Sequence, residues 1–191
     1  DNFLRKIPFC AVSIARLGDT LEGSFAVVHN PITNHTFKSV GATGTFENSL
    51  PIKTTGEPMG GRYFISIDRG REEWMYPAAM KLLVGLSGEF GKVTSLGCAA
   101  LNLAYVSSGR FDAVLTFGLN PYDYGAGLYL VDAAGGAISV HTEQGWRRWE
   151  GTVKDLCDSH GKTIFASHPD VHEKIRDFIG DPREWSTRTL E

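Results

Sequence analysis

Between Phe111 and Thr142 the chain spells out one strand, one helix and one more strand, and this succession limits the fold more than any other feature. Phe111 to Phe117 is an apolar run of strand length, and Asn120-Pro121 breaks the chain just beyond it. Tyr122, Ala126, Tyr129, Leu130 and Ala133 then recur at a helical period until Gly135-Gly136 stops the helix, and Ala137 to Thr142 leaves as a strand. A helix flanked in this way buries its apolar side by lying on the sheet its neighbours build, which implies a layered arrangement. The helix is predicted to begin near Asp123, which puts that carboxylate in the first turn, against the partial positive charge of free backbone N–H groups. Such a group can cap the helix, or it can hold a divalent cation through oxygen.

The same alternation runs from Tyr63 onward. A strand over Tyr63 to Ile67, a helix over Glu72 to Leu86, a strand over Gly91 to Leu96 and a helix over Gly97 to Ser107 precede the central stretch. A strand over Thr163 to Ser167 and a helix over Pro169 to Ile179 come after it, with Trp146 to Asp158 reading as irregular. The first part of the chain differs. Pro8 to Leu17, Leu21 to His29 and Thr36 to Val40 read as strands separated by short polar turns, an antiparallel meander that closes in a glycine-punctuated corner over Gly41 to Pro51. Lys53 to Gly61, rich in Thr, Gly and Pro, marks the boundary, giving residues 1–58 as the remainder of an antiparallel-sheet domain and 59–191 as an α/β domain.

Charge and cysteine content narrow the classes of function. The 191 residues carry 19 Lys and Arg against 22 Asp and Glu without a long block of either sign, so neither nucleic acid nor a membrane surface is expected as a partner. Cys10, Cys98 and Cys157 are odd in number and widely spaced, which suits reduced thiols in the cytoplasm. The chain opens on Asp1 rather than Met, so residues are expected to precede it, and Leu190-Glu191 reads as an appended tail.

A second group of residues points to ligand binding. In Ser95-Leu96-Gly97-Cys98-Ala99-Ala100-Leu101-Asn102 a glycine at a strand-to-helix junction precedes small residues, which either leaves backbone N–H groups of Gly97, Cys98 and Ala99 open to an anion or a hydroxyl-rich ligand or lets the helix pack closely on the sheet. Cys98 is not read as a nucleophile, because no His stands at a motif spacing from it. Asp68 and Arg69 end a strand and are placed to line a crevice, and the planar donors of Arg69 suit a phosphate. His168 and His172 are four apart at a helix start, but without a Cys or Glu partner they read as a solvated face together with Asp170, Glu173, Lys174, Arg176 and Asp177.

Tyr122-Asp123-Tyr124-Gly125-Ala126-Gly127 followed by Ala133-Ala134-Gly135-Gly136 resembles the Trp-Asp-x-x-Ala-Gly and Glu-Ala-Gly-Gly signature of the inositol monophosphatase family. Asn2-Phe3, Pro8-Phe9, Ala11-Val12-Ser13-Ile14-Ala15, Val27-Val28-His29-Asn30-Pro31 and Gly44-Thr45-Phe46 are similar to further family segments in the same order. The resemblance implies an α+β fold, a layered helix and sheet sandwich of the sugar phosphatase type with the antiparallel sheet first. It implies Mg2+-dependent hydrolysis of a phosphate monoester of inositol or a related sugar or polyol, with Asp123 as a metal ligand, and a homodimer. Gly97, Cys98 and Ala99 take the place of the family's Gly-Ser/Thr-Ala run, whose backbone touches the polyol ring. Thr116 stands seven residues before Asp123, where inositol-specific members carry a Glu that accepts hydrogen bonds from ring hydroxyls; a Thr reads the same hydroxyls without charge and with less reach. In the family, Asp-Pro-Ile-Asp-Gly-Thr and one further residue lead into the Asn-Phe, so two Asp ligands and an upstream Glu are expected before Asp1, and Asp1 is neither of them. The alternative is a non-catalytic relative, lacking those ligands, that binds a phosphorylated metabolite or a protein partner.

Overall fold

A computed structural model of the chain describes residues 2–20, 22–55, 59–70, 72–158 and 160–189. Asp1, Leu21, Arg71, Ser159, the Leu190-Glu191 tail and residues 56–58 at the expected domain boundary lie outside the described residues.

The first sheet is an antiparallel meander of five strands in sequence order: β1 (Val12–Arg16), β2 (Phe25–Asn30), β3 (His35–Val40), β4 (Thr45–Glu47) and β5 (Leu50–Ile52). Alternation decides its faces. Ala26, Val28 and Asn30 of β2 and Phe37 and Ser39 of β3 are buried, whereas Val12, Ile14 and Val40 face outward. The turn after β2 is built by Asn30, whose Oδ1 accepts the N–H groups of Ile32 and Thr33. The corner expected over Gly41 to Pro51 instead contains the two short strands β4 and β5; three-residue strands carry too little alternation to be read from sequence.

The second sheet and its helices run in the order β6 (Tyr63–Arg69), α1 (Met75–Glu89), β7 (Gly91–Thr94), α2 (Ala99–Ser107), β8 (Ala113–Leu119), α3 (Pro121–Ala133), β9 (Ala137–Thr142), β10 (Gly145–Arg148), α4 (Val153–Leu156), β11 (Lys162–Ser167) and α5 (Pro169–Ile179). The strand order is β10-β9-β11-β8-β6-β7, with β7, β6 and β8 parallel and β11 inserted antiparallel between β8 and β9. Pro77 falls in the first turn of α1, where its missing N–H costs nothing. Trp146 to Asp158, expected to be irregular, holds β10 and one turn of helix closed by Thr152 and Asp155, both too short to show a period.

Two apolar cores make the layers. Ala26, Val28 and Phe37 of the first sheet pack with Leu101, Leu103, Tyr124 and Leu128 from α2 and α3, and these helices also cover Val114 and Ile164 of the second sheet. On that sheet's other face Ile65, Ile67 and Leu115 pack against Leu82 and Leu86 of α1 and Ile175 of α5. The chain is therefore the α+β sandwich expected, sheet on helices on sheet on helices. Helices α2 and α3, enclosed by two sheets, are apolar nearly all round, while α5 keeps Asp170, Glu173, Lys174 and Asp177 on its outer side.

His172 corrects the sequence reading. It is fully buried, its Nε2 2.7 Å from Ser139 Oγ and its Nδ1 2.7 Å from Ser167 Oγ, because the turn of α5 that carries it lies on β9 and β11. Its partner in the i, i+4 pair, His168, does stay at the helix start, where its ring accepts the Asp170 N–H.

The packing can be tested at two residues. A methyl group on Gly127 would lie 2.6 Å from Leu103 Cβ, so Gly127→Ala is expected to cost about 1–3 kcal/mol in urea unfolding. Burial pushes the His172 imidazole from 6.5 down to about 3, with Arg148 and Arg176 adding to the fall. The unfolded chain thus binds more protons between those values, and this residue's contribution to stability is lost as pH falls through that window. Thermal unfolding of the wild type should lose stability below pH 6.5 more steeply than that of His172→Gln.

Candidate active site

Strands β7 and β8 are parallel, so the helices that come after them, α2 and α3, both begin at the same edge of the sheet. A cleft of about 1030 Å³ opens at that edge. It lies outside the C-terminal ends of β6 and β8, where chains of this topology leave a crevice. Asp68, Arg69 and Gly70 end β6, Gly97 to Ala100 enter α2, and Asn120, Tyr122 and Asp123 enter α3; Ala11 and Ser13 of the first-sheet region close the remaining side.

Asp123 is half-buried and sits at the third position of α3, where one carboxylate oxygen, Oδ2, accepts the Asn120 N–H at 3.0 Å. The capping role weighed from the sequence is present, and it orients the carboxylate at the helix's positive end. Asn120 is itself held by Tyr122 Oη at 2.7 Å from its Nδ2 and by His160 Nδ1 at 3.0 Å from its Oδ1.

Asp68 is 5% exposed. Burial raises its carboxyl to about 6, against the lowering effect of hydrogen bonds from the Asn102 side chain and the Gly97 N–H, and the charge of Asp123 adds to the rise. Arg69 is exposed, stacks 4.6 Å over the Tyr76 ring and donates from Nη1 to Gly70 O at 3.3 Å. The planar donors of an exposed guanidinium suit an anion. Burial also raises the Cys98 thiol, with Leu101 N–H opposing and Asp68 reinforcing the shift, so the sulfur stays protonated near neutral pH.

Of the residues singled out from the sequence, Arg69, Gly97, Cys98, Ala99 and Asp123 therefore line one cleft. Thr116 does not join them. It is 1% exposed within β8, and its hydroxyl donates to Ile164 O at 3.3 Å, so the strand interior rather than the cleft receives it. Glu72 and Ser13 do line the cleft and were not singled out. Glu72 is exposed, with Oε2 2.7 Å from Trp74 Nε1; its place three residues after Arg69 in a strand-to-helix loop was the available signal.

Among the described residues no three His, Cys, Asp or Glu side chains come together as a metal-binding group. The cleft's carboxylate and hydroxyl side chains, Asp68, Asp123, Glu72, Ser13 and Tyr122, are nonetheless oxygen donors, and its one thiol is protonated. That set suits a hard cation better than zinc, and this chain can supply part of its coordination.

A model of the inositol monophosphatase family matches residues 1–177. An inositol-1-monophosphatase of Caulobacter vibrioides is 34% identical over 188 residues, covering 91% of this chain and 65% of that protein. Nus factor SuhB of Escherichia coli K12 is 32% identical over 143 residues, covering 74% of this chain and 53% of that protein. The crystal structure of the extragenic suppressor protein suhB from Bartonella henselae superposes with a TM-score of 0.72 at 25% identity over 93% of this chain and 65% of that one. A structure of SaIMPase-II with inositol monophosphate bound superposes with a TM-score of 0.71 at 19% identity, covering 96% of this chain and 66% of that one. The chain belongs to the inositol monophosphatase family, and it spans 65% of the length of the Caulobacter relative. No described helix is long and apolar enough to cross a membrane.

The position of Thr116 gives a test. Thr116→Val should change stability by about 1 kcal/mol, the scale of one hydrogen bond, and leave KM for a polyol phosphate unaltered in the complete protein. A clear rise in KM would show that the hydroxyl reads the substrate after all.

Proposed function

We propose that the complete protein is a magnesium-dependent phosphomonoesterase acting on a phosphate ester of inositol or a related sugar or polyol. The observation that carries this is the meeting, in one cleft, of Asp123 at a helix N-terminus with Arg69 and the Gly97–Ala99 entry to α2. Membership of the family supports hydrolysis, and the relative solved with inositol monophosphate supports the substrate class.

A phosphomonoester is doubly negative and repels an incoming oxygen nucleophile, so the site must neutralise charge before it can assist attack. Magnesium, when bound, would supply that neutralisation and lower the pKa of a water. Asp123 would hold it with the carboxylate oxygen that the cap leaves over. Arg69 would pair with phosphoryl oxygens through its guanidinium edge. The backbone N–H groups at Cys98 and Ala99 would take the hydroxyls of the alcohol portion, and Tyr122, exposed at the rim, would lie over that portion. Asn2 Nδ2 donates to Leu96 O at 2.9 Å, so an Asp-Pro-x-Asp-Gly-Thr segment directly before Asp1 would reach the cleft and complete the ligand set. We place the enzyme in the cytoplasm, in keeping with the three free cysteines, and expect a homodimer, which sedimentation would test.

A second reading is favoured by one finding: relatives of similar identity carry the name Nus factor. On that reading the chain binds a phosphorylated metabolite or a protein partner without turnover. The residues encoded before Asp1 separate the two, since Asp-Pro-x-Asp-Gly-Thr there supports the enzyme and its absence the relative.

Asp123→Asn in the complete protein keeps the volume and an acceptor for the Asn120 N–H while removing the charge. A role confined to capping predicts a stability loss of at most about 1 kcal/mol with activity retained. The metal-ligand role predicts near-normal folding and turnover lowered on the order of 10²-fold, the scale of removing one charge-stabilising group, with partial recovery at higher magnesium. Asp132→Asn is the control, since Asp132 lies further along α3 and lines a different pocket with Asp19 and Lys154. Near wild-type turnover by Asp123→Asn beside an inactive Asp132→Asn would move the site elsewhere.

A further inference from the structure

Antiparallel pairing brings the start of β11 beside the end of β8. Gly161 N–H donates to Leu119 O at 3.3 Å and Lys162 stands opposite Leu119, so His160 and Asn120, 40 residues apart, meet just beyond the last paired residues. Asn120 lines the cleft and His160 does not. Their side chains nonetheless form a chain that ends inside it. His160 Nδ1 lies 3.0 Å from Asn120 Oδ1, and Asn120 Nδ2 lies 2.7 Å from Tyr122 Oη. Neither metal binding by Asp123 nor phosphate pairing by Arg69 calls on this arrangement.

The chemistry of the three groups gives the chain a direction. An amide oxygen only accepts, so His160 Nδ1 carries the proton and donates it, which fixes both the tautomer of the ring and the way the Asn120 amide faces. The amide nitrogen only donates, so Tyr122 Oη is the acceptor. The phenolic hydrogen is then left over, and among the described residues no acceptor takes it. Turning the amide over would reverse every step: Tyr122 would donate to Asn120, Nδ1 would accept, and the cleft would meet a lone pair in place of a hydrogen. Tyr122 is 71% exposed, so packing does not aim its hydroxyl; the bond from Asn120 does. Hydrogen bonds aligned in one direction also polarise one another, which strengthens the last donor.

We propose that His160 is a positioning residue that, through Asn120, sets Tyr122 as a donor whose phenolic hydrogen goes to a hydroxyl oxygen on the alcohol portion of the ester. This rests on the reading of the cleft as the ester-binding site and names the residues that read the alcohol. His160 touches neither ester nor metal, so its whole effect passes through the Tyr122 hydroxyl.

The test uses the complete protein. Nitrogen NMR of the ligand-free wild type reads the tautomer of the neutral His160 ring; the proton is expected on Nδ1, and a proton on Nε2 overturns the proposal. Kinetics then give KM for inositol monophosphate divided by the inhibition constant of inorganic phosphate, which has no alcohol portion. Tyr122→Phe is expected to raise this ratio about tenfold and His160→Ala about fivefold, the scale of one hydrogen bond. The double variant should rise no further than Tyr122→Phe, because the two residues act on one contact. His160→Asn, which carries an N–H donor on Cγ as His does, should recover most of the ratio. A role in folding alone lowers the melting temperature of His160→Ala and leaves the ratio unmoved. That result, an equal rise in both constants, or additive rises in the double variant overturns the proposal. If the wild type hydrolyses no phosphate ester, the phosphatase reading fails by itself. Calorimetry with inositol monophosphate then decides: binding about fivefold weaker in His160→Ala than in the wild type supports the positioning role, and equal or undetectable binding overturns it.

Discussion

Gly127 faces Leu103 so closely that any side chain would collide, and the contact between α3 and α2 that this permits is the one that sets the arrangement of the layers. The two helices share the space between two sheets, and their separation sets how far apart the sheets can stand. Gly125, on the same helix, lets Cys157 approach from the segment after α4, where an added Cβ would be 3.1 Å from its sulfur. With α3 seated in this way, Tyr124 is fully buried and donates its hydroxyl to Leu156 O, and the residue just before it, Asp123, is carried to the cleft. The position of the carboxylate is thus a consequence of packing one residue further along.

Topology does the rest. Because β7 and β8 run parallel, both α2 and α3 present their N-terminal ends to one edge, and the unpaired N–H groups and partial positive charge of two helices converge there. Two carboxylates, Asp68 and Asp123, stand against this field, one buried and one half-buried. The difference in exposure separates their behaviour. Asp68, deprived of water, is raised to about 6 and committed to Asn102, whereas Asp123 remains at the mouth with one oxygen outside the cap.

Much of this was legible along the chain. The apolar run, the Asn120-Pro121 break and the Gly135-Gly136 stop locate β8, α3 and β9 to within two residues, because strand and helix periods and chain breakers are properties of neighbouring residues. Asp123 and the Gly97 to Ala99 turn were visible for the same reason, each lying at a junction the sequence marks. The features that escaped were elements too short to show a period, namely β4, β5, β10 and α4, and the fate of polar side chains whose partners are distant. His172 reads as a wet helix position until β9 and β11 bring Ser139 and Ser167 to it, and Thr116 reads as a cleft residue until Ile164 takes its hydroxyl.

The order of strands and helices, the layered class of fold and the family could all be read from the order of residues, because they rest on local periodicity, on breakers and on motifs contiguous in the chain. Which polar groups lost water and which kept it was settled in three dimensions. Asp68 and Asn102 are 34 positions apart and Asp68 and Glu72 only four, yet the first pair is buried together while Glu72 is exposed. Burial and hydrogen-bond partnership across such distances depend on how the layers close, and no window of the sequence contains that information.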